Sequence, residues 1–406
     1  MDPVRNPYTP NAGAKPQAIV GRDDQLESFD LLLRRLKLGR TEQSMIITGL
    51  RGVGKTVLLG QFRSKALTAD WVVVELEVSK HDDGRFRLEI ASRLRTALLE
   101  LSPKARWNQR FDHALSVLRS FTVSIDQSGS LSLGLGPGPV AEGFADHGDL
   151  LLDLTDLLVA VGEAAQSVRR GVVLLFDEIQ FLNRGQMEAL IAALHKVVQR
   201  ELPVTLVGAG LPQIAELAGD AKSYAERLFK FPEIGRLSDQ DARRALAEPA
   251  ESEGACFTEQ ALDRAVELTG GYPYFIQELG YAVWREAQSE QISAADVERT
   301  IPVYESKLDA SFFRVRLDRA TELERAYLRA MASLGPEPQK AADVAAVLRR
   351  QSTQLGPTRA SLINMGLLYT PEHGYAAFTV PHFDQFLLRA MPELVVPEAR
   401  PRKKRS

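Results

Sequence analysis

Residues 45–56 read MIITGLRGVGKT, and the order of those residues decides the fold. Met45-Ile46-Ile47-Thr48 is a short apolar run, the pattern of a strand buried on both faces. Gly49-Leu50-Arg51-Gly52-Val53-Gly54-Lys55-Thr56 follows without a break and fits G-x-x-x-x-G-K-[ST]. Each residue type has a physical task there. Glycines let the backbone turn tightly around an anion. Successive N–H groups and the N-terminus of the next helix then face that anion. Lys55 adds a point charge, and the Thr56 hydroxyl can ligate a divalent cation. Residues 57–65 carry the helical pattern this geometry requires.

The matching acid lies well downstream. Residues 171–180 read GVVLLFDEIQ, a continuous apolar strand that ends in two carboxylates. Open α/β sheets bind ligands at the C-terminal strand edge, so Asp177 is expected to hold a Mg²⁺ shell there. Glu178 either orients and deprotonates an attacking water or merely caps the next turn; the clean strand before it favours the first role. Together the two stretches imply a nucleoside triphosphate site for ATP with Mg²⁺. Further strands are expected at 71–78 and 204–207. They alternate with helices at 26–38, 86–101, 150–168 and 186–199, which is the pattern of a parallel α/β sheet. Residues 121–135 alternate apolar and polar around Ser128-Gly129 and read as a hairpin inside an insertion, 119–148.

These motifs resemble the AAA+ branch of the P-loop ATPases, and three weaker stretches extend the likeness over most of residues 19–310. Ile19-Val20-Gly21-Arg22-Asp23 looks like the segment that borders the adenine in origin-recognition-like members. Tyr224-Ala225-Glu226-Arg227-Leu228 occupies the place of an arginine finger. Gly271-Tyr272-Pro273 looks like the GxP motif of STAND-class signalling ATPases. The resemblance implies Lys55, Glu178 and Arg227 as catalytic residues and Thr56 and Asp177 as metal ligands. It implies Val20, Gly21, Arg22, residues 49–57 including Val57, and Tyr272 and Pro273 as nucleotide contacts. Arg227 would act on a neighbour's γ-phosphate and so needs a homo-oligomer. One departure stands out. The fourth strand, 204–207, runs into Gly208-Ala209-Gly210 where such families carry a polar sensor, with Thr205 the nearest hydroxyl, so slow hydrolysis is expected.

Beyond Gly235 the pattern turns helical, with helices at 239–247, 259–268, 273–287 and 293–308. Residues 323–334, 341–350 and 357–365 read as three further helices, and 366–380 as a hairpin. This order is similar to a winged helix-turn-helix, with Pro357 in the first turn of its third helix. Gln354, Thr358, Arg359 and Ser361, with Arg349, Arg350 and the tail, would face double-stranded DNA in a DNA-binding version. Docking of a protein partner is the other reading, because the third helix holds one arginine and the turn holds Glu372. The expected fold class is therefore an α/β parallel-sheet P-loop NTPase (AAA+) core at 19–236. A loose leader at 1–18 precedes it. A helical lid at 237–312, a winged helix at 313–395 and a basic tail at 396–406 follow.

Bulk properties fit this plan. A chain of 406 residues with 45% hydrophobic and 25% charged content suits two or three soluble domains. The net charge of −3 argues against a wholly basic nucleic-acid coat. The single cysteine, Cys256, excludes an internal disulfide and a paired-cysteine zinc site, and its neighbours suggest a buried position. His147, His195 and His373 have no partners at metal spacing, and His382 reads as structural. No apolar run is long enough to cross a bilayer, so the expectation is a cytoplasmic protein without membrane contact.

Overall fold

The computed structural model describes residues 1–80, 82–101, 109–123 and 139–397. The chain divides into two units. Arg22–Gly49 and Gly54–Ile234 form a sheet unit; Met1–Gly21, Leu50–Val53 and Gly235–Ser406 form a helical unit.

In the sheet unit, α1 (Asp23–Lys37) buries the stripe Phe29, Leu32, Leu33 and Leu36, a helical period of apolar residues. β1 (Ser44–Thr48) follows, buried at every position. Next come α2 (Lys55–Thr68), β2 (Val72–Glu77), α3 (Asp83–Leu101), α4 (Gln109–Val123) and α5 (Leu150–Ser167). β3 (Val172–Asp177), α6 (Arg184–Gln199), β4 (Val204–Gly210), α7 (Ile214–Ala221), α8 (Ala225–Leu228) and β5 (Phe229–Lys230) complete the unit. The strands lie in the order β2-β3-β4-β1-β5, and every pair is parallel. With helices on its faces the sheet has no wet side, which is why β1 and β3 are continuous apolar runs.

Two expectations change here. Residues 121–123 close helix α4 and are not the first strand of a hairpin; Phe121 is fully buried in the same apolar core as residues of α3 and α5. The rest of the expected hairpin lies outside the described residues. The fourth strand also runs three residues further than its apolar run, through Gly208-Ala209-Gly210.

The helical unit contains α9 (Asp239–Ser252), β6 (Cys256–Phe257), α10 (Glu259–Thr269), α11 (Pro273–Glu286), β7 (Gln291–Ile292) and α12 (Ala294–Lys307). A π-helical turn, Leu308–Arg314, leads through α13 (Val315–Leu317) to α14 (Glu322–Leu334), β8 (Gln339–Lys340), α15 (Ala341–Val347) and α16 (Ser352–Asn364). β9 (Leu368–Tyr369), β10 (Tyr375–Phe378) and α17 (Phe383–Ala390) end it. β8, β10 and β9 form a small antiparallel sheet. One continuous apolar core runs through this unit, from Leu246 and Phe275 to Phe383 and Phe386.

Here too the structure corrects the sequence. The leader is not loose. The Tyr8 ring is buried, its hydroxyl donates to Leu246 O, and the N-terminal ammonium donates to Ala287 O. A Cβ at Gly280 would lie 2.5 Å from that ring, so a glycine there makes room for it. Helix α16 starts at Ser352, which puts Pro357 inside the helix and beyond its first turn. Cys256 is exposed, not buried. The tail from residue 398 lies outside the described residues. Among the described residues, no helix is long and apolar enough to cross a membrane.

Candidate functional site

The loop after β1 owes its shape to two glycines in left-handed backbone conformations, Gly52 at φ 82° and Gly54 at φ 93°. L-residues resist that region, so a side chain at either position would open the turn. Gly54 then occupies the cap position of α2. Lys55 opens that helix. Its side chain is nearly buried, and its ammonium donates to Gly49 O at 3.0 Å across the loop. Gly49 N in turn donates to Gly210 O at the end of β4, 3.2 Å away.

β3 brings the acids to the same edge. Thr56 Oγ1 donates to Asp177 Oδ2 at 2.6 Å, joining residues 121 positions apart. Asp177 Oδ1 accepts from Glu178 N at 2.8 Å. A hydroxyl and a carboxylate in contact, beside a lysine and a helix N-terminus, form a donor set that suits a hard cation and a polyphosphate. Thr56 and Asp177 are the residues that would hold Mg²⁺. Among the described residues there is no cluster of three or more His, Cys, Asp or Glu side chains that could bind another metal. His147 pairs with Asp156 at 3.2 Å, and His195 stacks on Tyr224.

Glu178 has an unusual backbone, φ 52° and ψ 37°, and caps a short 3-10 turn, Ile179–Phe181. Its Oε2 accepts from Gln180 Nε2, and Gln180 Oε1 accepts from Leu211 N at 3.1 Å. No motif drew the sequence reading to Gln180; the only local signal is a glutamine three positions after a strand-ending aspartate. Thr205, the nearest hydroxyl in β4, sits at the opposite end of its strand. It is buried and hydrogen-bonded to Ser44 Oγ at 3.0 Å.

The remaining sequence candidates are distributed as follows. Gly49, Gly54, Lys55, Thr56, Val57, Asp177 and Glu178 belong to the sheet unit, and all but Val57 take part in the contacts above. Arg22, at the cap of α1, and Arg227 belong to the same unit. Arg227 is exposed on α8, directly before β5. The register Ser44↔Phe229 places it at the N-terminal edge of the sheet, away from the loop that follows Thr48. It therefore takes no part in this chain's own phosphate site.

Val20, Gly21, Leu50, Arg51, Gly52, Val53, Tyr272 and Pro273 belong to the helical unit. Within that unit the loop apex is held by main chain. Tyr274 N, in the first turn of α11, donates to Gly52 O at 3.1 Å, and Arg51 N donates to Thr379 O at 2.9 Å. Arg51 Nε donates to Gly366 O at 3.3 Å. Tyr274 stacks on Phe312, and the Arg316 guanidinium lies 4.1 Å from the centre of the same Phe312 ring. Burial, and then the like charge of Arg51, push Arg316 down to about 10. Gly21 packs on Asp241 and Leu237, and Leu237 N donates to Gly271 O at 2.8 Å, beside Tyr272 and Pro273.

Comparisons with known proteins bear on the fold. Residues 18–207 match a family described as an AAA ATPase domain. Residues 310–387 match a family described as a domain of unknown function (DUF8462). Among solved structures, the chain is similar to the Walker-type ATPase paby2304 of Pyrococcus abyssi. The identity is 15% and the TM-score 0.56, with 92% of this chain and 97% of that chain covered. It is also similar to Cdc6p from Pyrobaculum aerophilum (14% identity, TM-score 0.48, 96% and 97% covered). A third similar structure is the Aeropyrum pernix Orc1 protein in complex with DNA (15%, 0.46, 93% and 94%). The likeness to the Pyrococcus ATPase is one of fold, and with the five-stranded parallel sheet it makes this a P-loop AAA+ fold. No curated protein matches the chain.

Proposed function

We propose that this chain, whose core has the P-loop AAA+ ATPase fold, is a slow ATP-hydrolysing switch that couples nucleotide state to its C-terminal helices. The observation that carries the reading is the 2.6 Å contact between Thr56 Oγ1 and Asp177 Oδ2 at the mouth of the loop that holds Lys55. Lys55 would neutralise the β/γ oxygens, and loop N–H groups with the N-terminus of α2 would bind the rest of the polyphosphate. Thr56 and Asp177 would hold Mg²⁺, whose charge would offset the negative charge that develops on the phosphoryl oxygens. Glu178, at the edge of β3, would orient the attacking water and accept its proton.

The switch is supported by the contacts of the loop apex within the helical unit. Arg51 and Gly52 are hydrogen-bonded to Thr379, Gly366 and Tyr274, so a change of loop shape on nucleotide binding has a direct outlet into α11 and the 366–379 segment. We read α14–α16 with the small β8-β10-β9 sheet as a winged helix. A duplex-binding role is not favoured. Thr358 is buried, Gln354 Oε1 is engaged with Gln351 N, and the exposed positions of α16 carry no basic side chain. A protein partner suits that surface better.

The test has two parts. Lys55→Ala should weaken ATP binding in a titration by about a hundredfold or more, since it removes the ammonium that would meet the β/γ oxygens. Glu178→Gln should bind ATP normally and lower single-turnover hydrolysis by about a hundredfold or more. Full ATP affinity in Lys55→Ala would remove the site assignment; equal and negligible rates in wild type and Glu178→Gln would leave a nucleotide-holding scaffold.

A further inference from the structure

The acidic pair at the end of β3 is followed by a residue to which no motif assigns a role. The 3-10 turn Ile179–Phe181 sends Ile179 into the core, fully buried, and brings Gln180 back along the site edge. There its side-chain amide spans two structures. Nε2 donates to Glu178 Oε2, and Oε1 accepts from Leu211 N at 3.1 Å, in the first residue after β4. Only one orientation of the amide satisfies both partners, because a carboxylate can only accept and a main-chain N–H can only donate. The bridge is therefore directional and chemically complete at both ends.

The surroundings are shaped to admit it. A Cβ at Gly210 would lie 2.9 Å from Gln180 Oε1 and 3.0 Å from Ile179 Cγ2. A Cβ at Gly208 would lie 2.9 Å from Ile179 Cδ1. The glycines that leave β4 without a polar side chain at its end are the ones that give this turn its room. Glu178 itself sits at φ 52°, in the left-handed region that an L-residue resists. It is held there from two sides, by its N–H on Asp177 Oδ1 and by its carboxylate on Gln180. Strain kept up by that many contacts points to a side chain whose direction matters.

We infer that Gln180 is the positioning residue for Glu178, and that it supplies from β3 the polar link to β4 that Gly208-Ala209-Gly210 lacks. Gln180 does not touch the reacting atoms. It fixes the direction of the Glu178 carboxylate and ties that direction to the position of Leu211. The inference rests on the ATPase reading above and deepens it.

Gln180→Met keeps the length of the side chain and removes both hydrogen bonds. Gln180→Glu keeps an acceptor for Leu211 N but sets a second carboxylate against Glu178. Both variants would be assayed for ATP affinity and for single-turnover hydrolysis, in the wild-type and Glu178→Gln backgrounds. The expected result is ATP affinity within about twofold of wild type and hydrolysis slowed about ten- to a hundredfold in both variants, the size of loss that misplacing a catalytic group brings. In the Glu178→Gln background neither variant should cause a further loss, because the residue acts through that carboxylate. Hydrolysis that is unchanged, that rises, or that falls equally in both backgrounds overturns the inference. A Glu178→Gln protein that hydrolyses at the wild-type rate would instead overturn the ATPase reading, and this inference with it.

Discussion

At the scale of single residues, the chemistry of the site is local and its support is not. Gly52, Gly54, Lys55 and Thr56 can be assigned from the sequence because their tasks follow from residue type and order. Glu178 could be named, but its left-handed backbone could not, since nothing in DEIQ announces it. The same holds for the buried ion pair of the sheet unit. Arg87 and Asp153 are 66 positions apart, yet Arg87 Nη1 donates to Asp153 Oδ2 at 2.7 Å. His147 N also donates to Asp153, at 2.9 Å, and the guanidinium lies over the Phe121 ring. Asp153 is completely buried. Removing one member of such a buried pair costs about 3–5 kcal/mol. Asp153→Ala should therefore lower the urea midpoint strongly, and Arg87→Met together with Asp153→Leu should recover much of the loss. A single variant within about 1 kcal/mol of wild type would show that the pair is not what joins α3 to α5.

At the scale of elements, long periodic segments were legible and short or interrupted ones were not. α1, α3, α5, α6 and the buried strands follow from period and composition. β5, β6, β7 and β8 have two residues each, too few to carry a period. The π-helical turn Leu308–Arg314 and the proline inside α16 escape for a different reason: tertiary packing overrides local preference there. Helix ends offer a test. Glu324 closes the capping box of α14, its Oε2 accepting from Thr321 N at 2.7 Å and from Thr321 Oγ1 at 2.9 Å. Burial alone would raise its carboxyl; hydrogen bonds from Ser361 and Thr321 outweigh that and hold it below the usual range. A carboxyl lowered in the folded state contributes stability above its unfolded value and loses it as pH falls through the folded one. Between about pH 6 and about pH 3 the wild type should thus lose more stability than Glu324→Gln, read as the change in urea midpoint. Equal losses would mean the box contributes nothing through its charge.

At the scale of the whole molecule, the loop segment Leu50–Val53 counts with the helical unit, where Arg51 and Gly52 are hydrogen-bonded to Thr379, Gly366 and Tyr274. A nucleotide seated in the loop should therefore be felt by the helical unit. Amide exchange at residues 272–276 and 366–379 should slow when ATP or ADP is bound, and Arg51→Ala should shrink that response while leaving the sheet-unit response in place. No change in either segment on binding would remove the switch and leave a simple ATPase. The sequence by itself determined the phosphate-loop motif, the parallel sheet and the helical character of the second half. These depend on residue type, order and period, which a linear string carries. Only the tertiary structure decided that the leader docks through Tyr8, that Arg227 lies at the far edge of the sheet from the phosphate loop, and that Gln180 joins Glu178 to Leu211. Each of these is a contact between segments distant in the chain or a direction set by the turn that carries it. Such contacts form only when the whole set of buried surfaces and polar partners is satisfied at once, and no local pattern records that.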